Sequence, residues 1–314
     1  MTRPVRPIVQ HVHAAAARLL VAALGWAPRR GALALGEALG RLWYRLDARH
    51  RRIGRVNLRI AFPEWTEEER ERILRRSLEH AGRLAVEVAQ SRRWDEAEIR
   101  YRLRLEDPGS ARRVRELHDR AGGLLFFTAH VGVWELIPLY WAIEAAPMDI
   151  VVRPIDNPAV DRLVTSLRER WGNRTIGKHG ALQEILRSAR RGNYIAMLVD
   201  QNATRANGIF IDFFGKPACS LVALPLLSLR TGLPMIGGFA HYDPHQDVHW
   251  LRVEEGVAIE PSGDRTVDLR RLTQEMHARV ETVIRAYPDQ WLWMHRRWRT
   301  RPEGEQLPPL YDRN

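Results

Sequence analysis

His130 is followed five positions later by Glu135, inside a stretch at 122–140 that reads GGLLFFTAHVGVWELIPLY. An imidazole with a carboxylate to orient it is a proton-transfer pair, able to take a proton from a hydroxyl near neutral pH. The spacing by itself is weak, because His179 with Glu184 and His249 with Glu254 share it. His249 lies in the alternating segment HWLRVE, where a separation of five puts two strand side chains on opposite faces. His179 opens a helical segment, where five positions leave the pair well apart around the axis. Only His130 and Glu135 span a strand exit and a helix start. Two readings stay open: a catalytic pair, or a histidine at the edge of the core that bonds locally.

Residues 124–127 are a short apolar run behind two glycines, which predicts a buried strand. From Gly132 the pattern turns helical, with Trp134, Leu136, Ile137 and Tyr140 apolar. His130 therefore sits at a strand-to-helix turn, where open α/β sheets bind their ligands. The alternation continues downstream. Strands are predicted at 149–153, near 175–176 and at 194–199, with helices at 158–171 and 180–191 between them. A strand at 209–214, a helix from about 220 to 231 and a strand at 234–241 follow. A hairpin around 243–247 then leads to a strand at 248–253, and a long helix covers 264–287. Upstream, residues 8 to about 60 read as helices. Thr66 with Glu69 forms a capping box after Pro63, residues 101–105 alternate as a half-buried strand, and 110–120 is a polar helix. The expected fold is α/β, a mostly parallel central sheet flanked by helices. An N-terminal helical membrane-associating segment at 1–62 precedes the α/β domain at 63–314.

If that sheet forms, three strand exits meet at one edge. They supply His130 with Glu135, then Arg153, then Asp200 with Gln201. A base, an acid, a fixed cation and an amide together can serve acyl transfer. The base takes a proton from an acceptor hydroxyl, and donors stabilise the oxyanion. The planar fork of Arg153 also suits a phosphate, and Arg153 with Asp200 equally fits a structural ion pair at the rim. No G-x-S-x-G elbow is present and Cys219 lies in no nucleophile motif, which argues against an acyl-enzyme route. There is no Walker loop, no G-x-G-x-x-G after a strand and no zinc-spaced His/Cys cluster, so neither a metal nor another cofactor is expected.

The chain of 314 residues carries a net charge of +11, mostly through arginine. That balance points to an acidic partner: an anionic membrane surface, an acidic carrier protein or nucleic acid. A plain compositional bias toward arginine would give the same figure. Trp26, Trp43, Trp65, Trp94, Trp291, Trp293 and Trp298 fall beside arginines or at element ends, as a membrane–water interface favours. A single cysteine excludes an intrachain disulfide and suits a cytoplasmic working surface. No apolar run reaches the roughly 18 residues of a spanning helix. The nearest, 14–27, is broken by Arg18 and reads as a helix lying in the interface with that arginine snorkelling. Arg49, His50, Arg51, Arg52, Arg55 and Arg59 form a basic cluster that either binds phosphates or is a solvated helix face. The C-terminal HRRWRTR, at 295–301, fits anionic headgroups, an acidic carrier or a solvated tail. No nucleic-acid module accompanies it, so nucleic acid is not an expected partner.

Five blocks resemble one family. TAHVGVWE (128–135) resembles the H-x4-D/E block of the lysophospholipid acyltransferase superfamily, and is most similar to the late acyltransferases of lipid A biosynthesis, the lauroyl/myristoyl type. VRPIDNP (152–158) is similar to their Arg-Pro-x-Asp-Asn-Pro block, LVDQN (198–202) to their Asp-Gln block, and IDFFGKPA (211–218) to their Phe-Phe-Gly segment. QWLWMHRRWRTRP (290–302) resembles their Trp-x-His-Arg-Arg ending. The resemblance implies an enzyme on the cytoplasmic face of the inner membrane. It would transfer a fatty acyl chain from acyl-acyl carrier protein to a lipid hydroxyl in a ternary complex, without a metal. His130 would be the general base and Glu135 its partner, with Arg153, Asp200 and Gln201 binding substrate or supporting the site. The family's N-terminal transmembrane segment is shortened here, and relatives acylate other glyco- or amino-lipids. An acyltransferase on a different lipid therefore remains an alternative, as does a non-catalytic basic protein that binds membranes or nucleic acid.

Overall fold

The computed structural model describes residues 23–155, 157–177, 181–257, 259–304 and Tyr311. Of the N-terminal helix expected at 14–27, the part up to residue 22, with Arg18, lies outside the described residues, as does His179; residues 23–26 are helical. Three helices come first: α1 (Arg29–Leu46), α2 (Ala48–Ala61) and α3 (Glu67–Ser91). Thr66 caps α3 through the expected reciprocal box, its hydroxyl accepting from the Glu69 N–H while the Glu69 carboxylate accepts from the Thr66 N–H. Glycines let α1 lie close on α3, since a Cβ added to Gly82 would sit 2.0 Å from the Gly36 carbonyl oxygen. A charged latch fastens the same pair to the rest of the chain. The Arg29 guanidinium grips Glu87 of α3 at 2.8 and 2.9 Å and Asp247 at 3.1 Å.

The α/β portion runs α4 (Glu96–Arg102), β1 (Leu103–Leu105), α5 (Ser110–Ala121), β2 (Leu124–Thr128), α6 (Ile137–Glu144), β3 (Met148–Val151), α7 (Pro158–Arg168) and β4 (Arg174–Ile176). It continues through α8 (Ala181–Arg190), β5 (Tyr194–Leu198), β6 (Gly208–Phe213), β7 (Lys216–Leu221), α9 (Ala223–Thr231), β8 (Met235–Asp243), β9 (Val248–Val257) and α10 (Arg265–Ala286). Seven strands form one sheet in the order β1-β9-β8-β2-β5-β3-β4, parallel except where β9 runs against β8. The apolar run of β2 follows from its central place. Leu125 and Phe127 enter the core on one face of the sheet, Leu124 and Phe126 the core on the other. β2 and β5 are neighbours, yet the chain leaves β2 toward β3 and leaves β5 toward β8, on opposite sides. Such a divergence opens a crevice at the carboxyl ends of the two strands.

Two expectations need correction. Residues 101–105 are not one strand. Asp95 caps a helix by accepting from the Glu98 N–H at 2.8 Å, and the pair Glu98–Arg102 at 2.5 Å holds its last turn, leaving three residues for β1. The segment near 220 is strand rather than helix start. A reversal at Phe214 and Gly215, with φ of 55° and 69°, turns β7 back against β6 as a separate two-stranded sheet. The tryptophans are also redistributed. Trp94, Trp291, Trp293 and Trp298 are buried in the cores, while Trp26 and Trp43 are exposed.

Candidate active site

The last residue of β2 is Thr128, and two positions later His130 leaves the sheet beside the end of β5. Asp200, two residues past β5, is 2% exposed and meets His130 twice. Its Oδ1 accepts from the ring Nδ1–H at 2.8 Å, and its Oδ2 accepts from the His130 main-chain N–H at 2.9 Å. The indole Nε1–H of Trp291 donates to Oδ2 at 2.7 Å. Burial alone would push this carboxyl up. The charge of His130 and these donors more than offset it, holding Asp200 well below the usual carboxylate range. For His130 burial works the other way, and the Asp200 charge overcomes it, so the ring's pKa lies above the ordinary histidine value. With Nδ1–H committed to Asp200, Nε2 carries the lone pair of the neutral ring. The Gln201 amide lies 3.4 Å from it, and Trp134 stands edge-on to the ring at 5.0 Å.

The carboxylate bonded to the imidazole is thus Asp200, where the sequence pointed to Glu135. Glu135 lies in a 3-10 turn, Trp134–Leu136, and both its oxygens are taken by Arg168, at 2.8 and 2.6 Å. Its charge still acts on His130, raising that ring's pKa, while Arg168 lowers it. Arg168 ends α7, and no sequence signal tied it to Glu135. The third strand exit diverges from expectation as well. Arg153, two residues past β3, is exposed and makes no hydrogen bond or ion pair among the described residues, so the alternative of a rim pair with Asp200 does not form.

The C-terminal segment closes over the His130 turn. Gly132 N–H donates to the Gln290 carbonyl at 3.0 Å and Leu292 N–H to the His130 carbonyl at 3.1 Å, flanking a bridge between Val131 and Trp291. Gly132 has φ of 58° and passes so near β8 that a Cβ there would sit 1.8 Å from the Ala240 oxygen. The strap continues as the basic run read above as a surface segment, and much of it is interior. Arg297 and Trp298 are buried, with the Arg297 guanidinium donating to the Cys219 carbonyl at 3.0 Å and to the Ser220 hydroxyl at 2.5 Å. His295 accepts from the Asn202 N–H at 2.8 Å. From the N-terminal side, the Asn57 amide of α2 donates to the carbonyls of Trp293 and His295 at 2.7 and 2.6 Å. No group of three or more His, Cys, Asp or Glu placed to hold a metal occurs among the described residues. The arrangement is an imidazole whose neutral form keeps its lone pair on Nε2, a buried carboxylate fixing that tautomer, and neutral donors beside it.

Residues 7–300 match the sequence model of a family described as bacterial lipid A biosynthesis acyltransferase. Among curated proteins, the chain is 25% identical over 272 residues to the lipid A biosynthesis lauroyltransferase of Escherichia coli (strain K12), covering 86% of each chain. It is 28% identical over 287 residues to a lipid A biosynthesis acyltransferase of Haemophilus influenzae, covering 88% of this chain and 87% of the other. With the E. coli lipid A biosynthesis myristoyltransferase it shares 24% identity over 272 residues, 86% of this chain and 81% of that one.

Proposed function

The chain belongs to the bacterial lipid A biosynthesis acyltransferase family and is an acyltransferase, and on that premise we propose that it moves a fatty acyl chain from acyl-acyl carrier protein to a hydroxyl of a lipid A precursor or related glycolipid. Family membership closes the non-catalytic alternative. The observation that carries the mechanism is the 2.8 Å contact between His130 Nδ1 and Asp200, which leaves Nε2 free as a base. In the ternary complex Nε2 takes the acceptor hydroxyl proton, and the oxygen attacks the thioester carbonyl. The new C–O bond forms, the C–S bond breaks, and the departing thiolate regains the proton from the imidazolium. Asp200 stabilises that imidazolium. Glu135 adds negative charge nearby and anchors Arg168. Arg153 and Gln201 face the substrate, Arg153 toward its anionic part and Gln201 toward the reacting groups.

The same reading puts the enzyme on the cytoplasmic face of the inner membrane, held by the N-terminal segment 1–62, with residues 63–314 as the catalytic domain. No helix among the described residues is long and apolar enough to cross a bilayer. What supports attachment is one side of α1. Leu35, Leu39, Leu42, Trp43 and Leu46 fall along it at helical spacing and are 37% to 74% exposed, while Ala32, Leu33, Gly36 and Gly40 are buried. Purified protein given labelled acyl carrier protein thioester and a lipid acceptor should yield acylated lipid. The His130→Ala variant should lose that activity by about 10²–10⁴-fold, the usual contribution of a general base. Equal transfer by both proteins would refute a base role for His130.

A further inference from the structure

The reaction above needs something the His130–Asp200 pair cannot supply, a donor for the oxygen that becomes negative when the thioester carbonyl is attacked. The Nδ1–H of His130 is used by Asp200, and its Nε2 must stay unprotonated to act as base. Arg297 is turned into the core by the Cys219 carbonyl and the Ser220 hydroxyl, and Arg168 is closed off by Glu135. His295 remains. Three consecutive residues line up the two imidazoles: Asp200 holds His130, Gln201 touches it, and the Asn202 N–H donates to His295 Nε2. A main-chain N–H can only donate, so Nε2 of His295 carries the lone pair and the ring proton is on Nδ1. Among the described residues no group accepts from that Nδ1–H, and the ring as a whole is half-buried. The ring is also kept neutral. Burial pushes its pKa down to about 4, and the positive charges of Arg297 and His130 act in the same direction against the pull of Asp200. The main chain beneath it is fixed by Asn57.

Resting on the acyl-transfer reading, we propose that His295 donates from Nδ1–H to the carbonyl oxygen of the acyl thioester and to the oxyanion formed on it. A neutral imidazole is a donor that does not titrate across the working range and does not compete with His130 for the hydroxyl proton. It also adds no positive charge to depress the base. Removing one donor of this kind typically costs about 10²–10³-fold in kcat.

Two near-isosteric variants separate this role from a structural one. Asn places an amide NH₂ where Nδ1–H stands, while Gln reaches the Nε2 position and can keep the bond from Asn202. With the full-length protein, an acyl carrier protein thioester and a lipid hydroxyl acceptor, His295→Gln should lose about 10²-fold or more in kcat at little-changed KM. His295→Asn should retain most of its turnover. The proposal is overturned if His295→Gln turns over like the wild type, or if His295→Asn falls as far as His295→Gln. A second measurement uses the wild type alone, so it holds even where a variant fails to fold. Nitrogen-15 NMR of the histidine rings should show one neutral Nδ1–H tautomer with no titration from pH 5 to 8. A ring protonated on Nε2, or titrating near neutrality, also overturns the proposal. Wild-type protein that transfers no acyl group refutes the parent reading and this one with it. Wild-type transfer with an unaffected His295→Gln refutes this one alone.

Discussion

Asp200 and Glu135 both carry negative charge near His130, but only Asp200 fixes which ring nitrogen bears the proton. Asp200→Asn therefore does two things: it presents an amide that can donate to Nδ1, stabilising the wrong tautomer, and it removes the charge that raises the ring's pKa. In a triad of similar logic the same change costs about 10⁴-fold in kcat, and a loss of about 10³–10⁴-fold is expected here. Glu135→Gln keeps the tautomer and weakens the hold on Arg168, so its loss should be clearly smaller. Both variants should move the acid limb of kcat/KM to lower pH. The base works only when unprotonated, the wild-type ring is raised, and each variant removes a raising charge. A larger loss in Glu135→Gln than in Asp200→Asn would return the orienting role to Glu135. The sequence made His130 visible because a histidine at the exit of an apolar strand is conspicuous. It did not give the ring's hydrogen-bond partner, because residues five apart across a turn need not face each other. Asp200 lies 70 positions away and becomes a neighbour only through the pairing of β2 with β5.

Elements show the same division between local and distant information. The capping box of α3, the alternation from β2 to β5 and the length of α10 depend on neighbours in sequence and were legible. The latch among α1, α3 and the β8–β9 hairpin was not, since charged side chains such as Arg29, Arg83 and Glu87 read as surface groups until the helices are packed. Glu87 is fully buried, held by Arg29 at 2.8 Å, and lies 3.3 Å from the buried ring of His249. Burial pushes its carboxyl up, but His249 and Arg29 leave it well below the ordinary glutamate value. Glu87→Ala would strand the Arg29 guanidinium, and breaking a buried pair this way costs about 3–5 kcal/mol, measurable by denaturant unfolding at pH 7. The acid dependence carries the same sign. A depressed carboxylate stabilises the fold above its unfolded pKa, about 4.3, and that contribution is lost as pH falls through the lower folded value. Glu87→Gln should flatten this part of the stability profile. An unchanged profile would mean that the charge on Glu87 contributes nothing to the latch.

At the scale of the whole molecule the net charge of +11 pointed to an acidic surface but not to which side of the protein meets it. The fold decides much of that. Arg55 and Arg59 are neutralised by Glu71 and Glu67, and Arg297 is interior, while Arg49 and Arg52 have no acidic partner among the described residues. These two follow directly on α1, whose outward leucines and Trp43 are exposed, with the His50 ring edge-on to Trp43, so apolar contact and positive charge belong to one region. If that region seats on a bilayer, binding has two separable parts. Burying a leucine side chain contributes about 1.5–3 kcal/mol, roughly tenfold or more in partitioning. Each arginine near an anionic surface adds about 1 kcal/mol, which salt screens. The double variant Leu39→Glu with Leu42→Glu should therefore lose at least about a hundredfold in binding to vesicles containing anionic lipid. Its thermal midpoint should stay close to wild type, because both side chains are exposed in the folded chain. Transfer to a detergent-dispersed acceptor should survive, and transfer to an acceptor embedded in vesicles should fall with binding. Vesicle binding equal to wild type would assign attachment to some other surface and leave the apolar side of α1 without a membrane role.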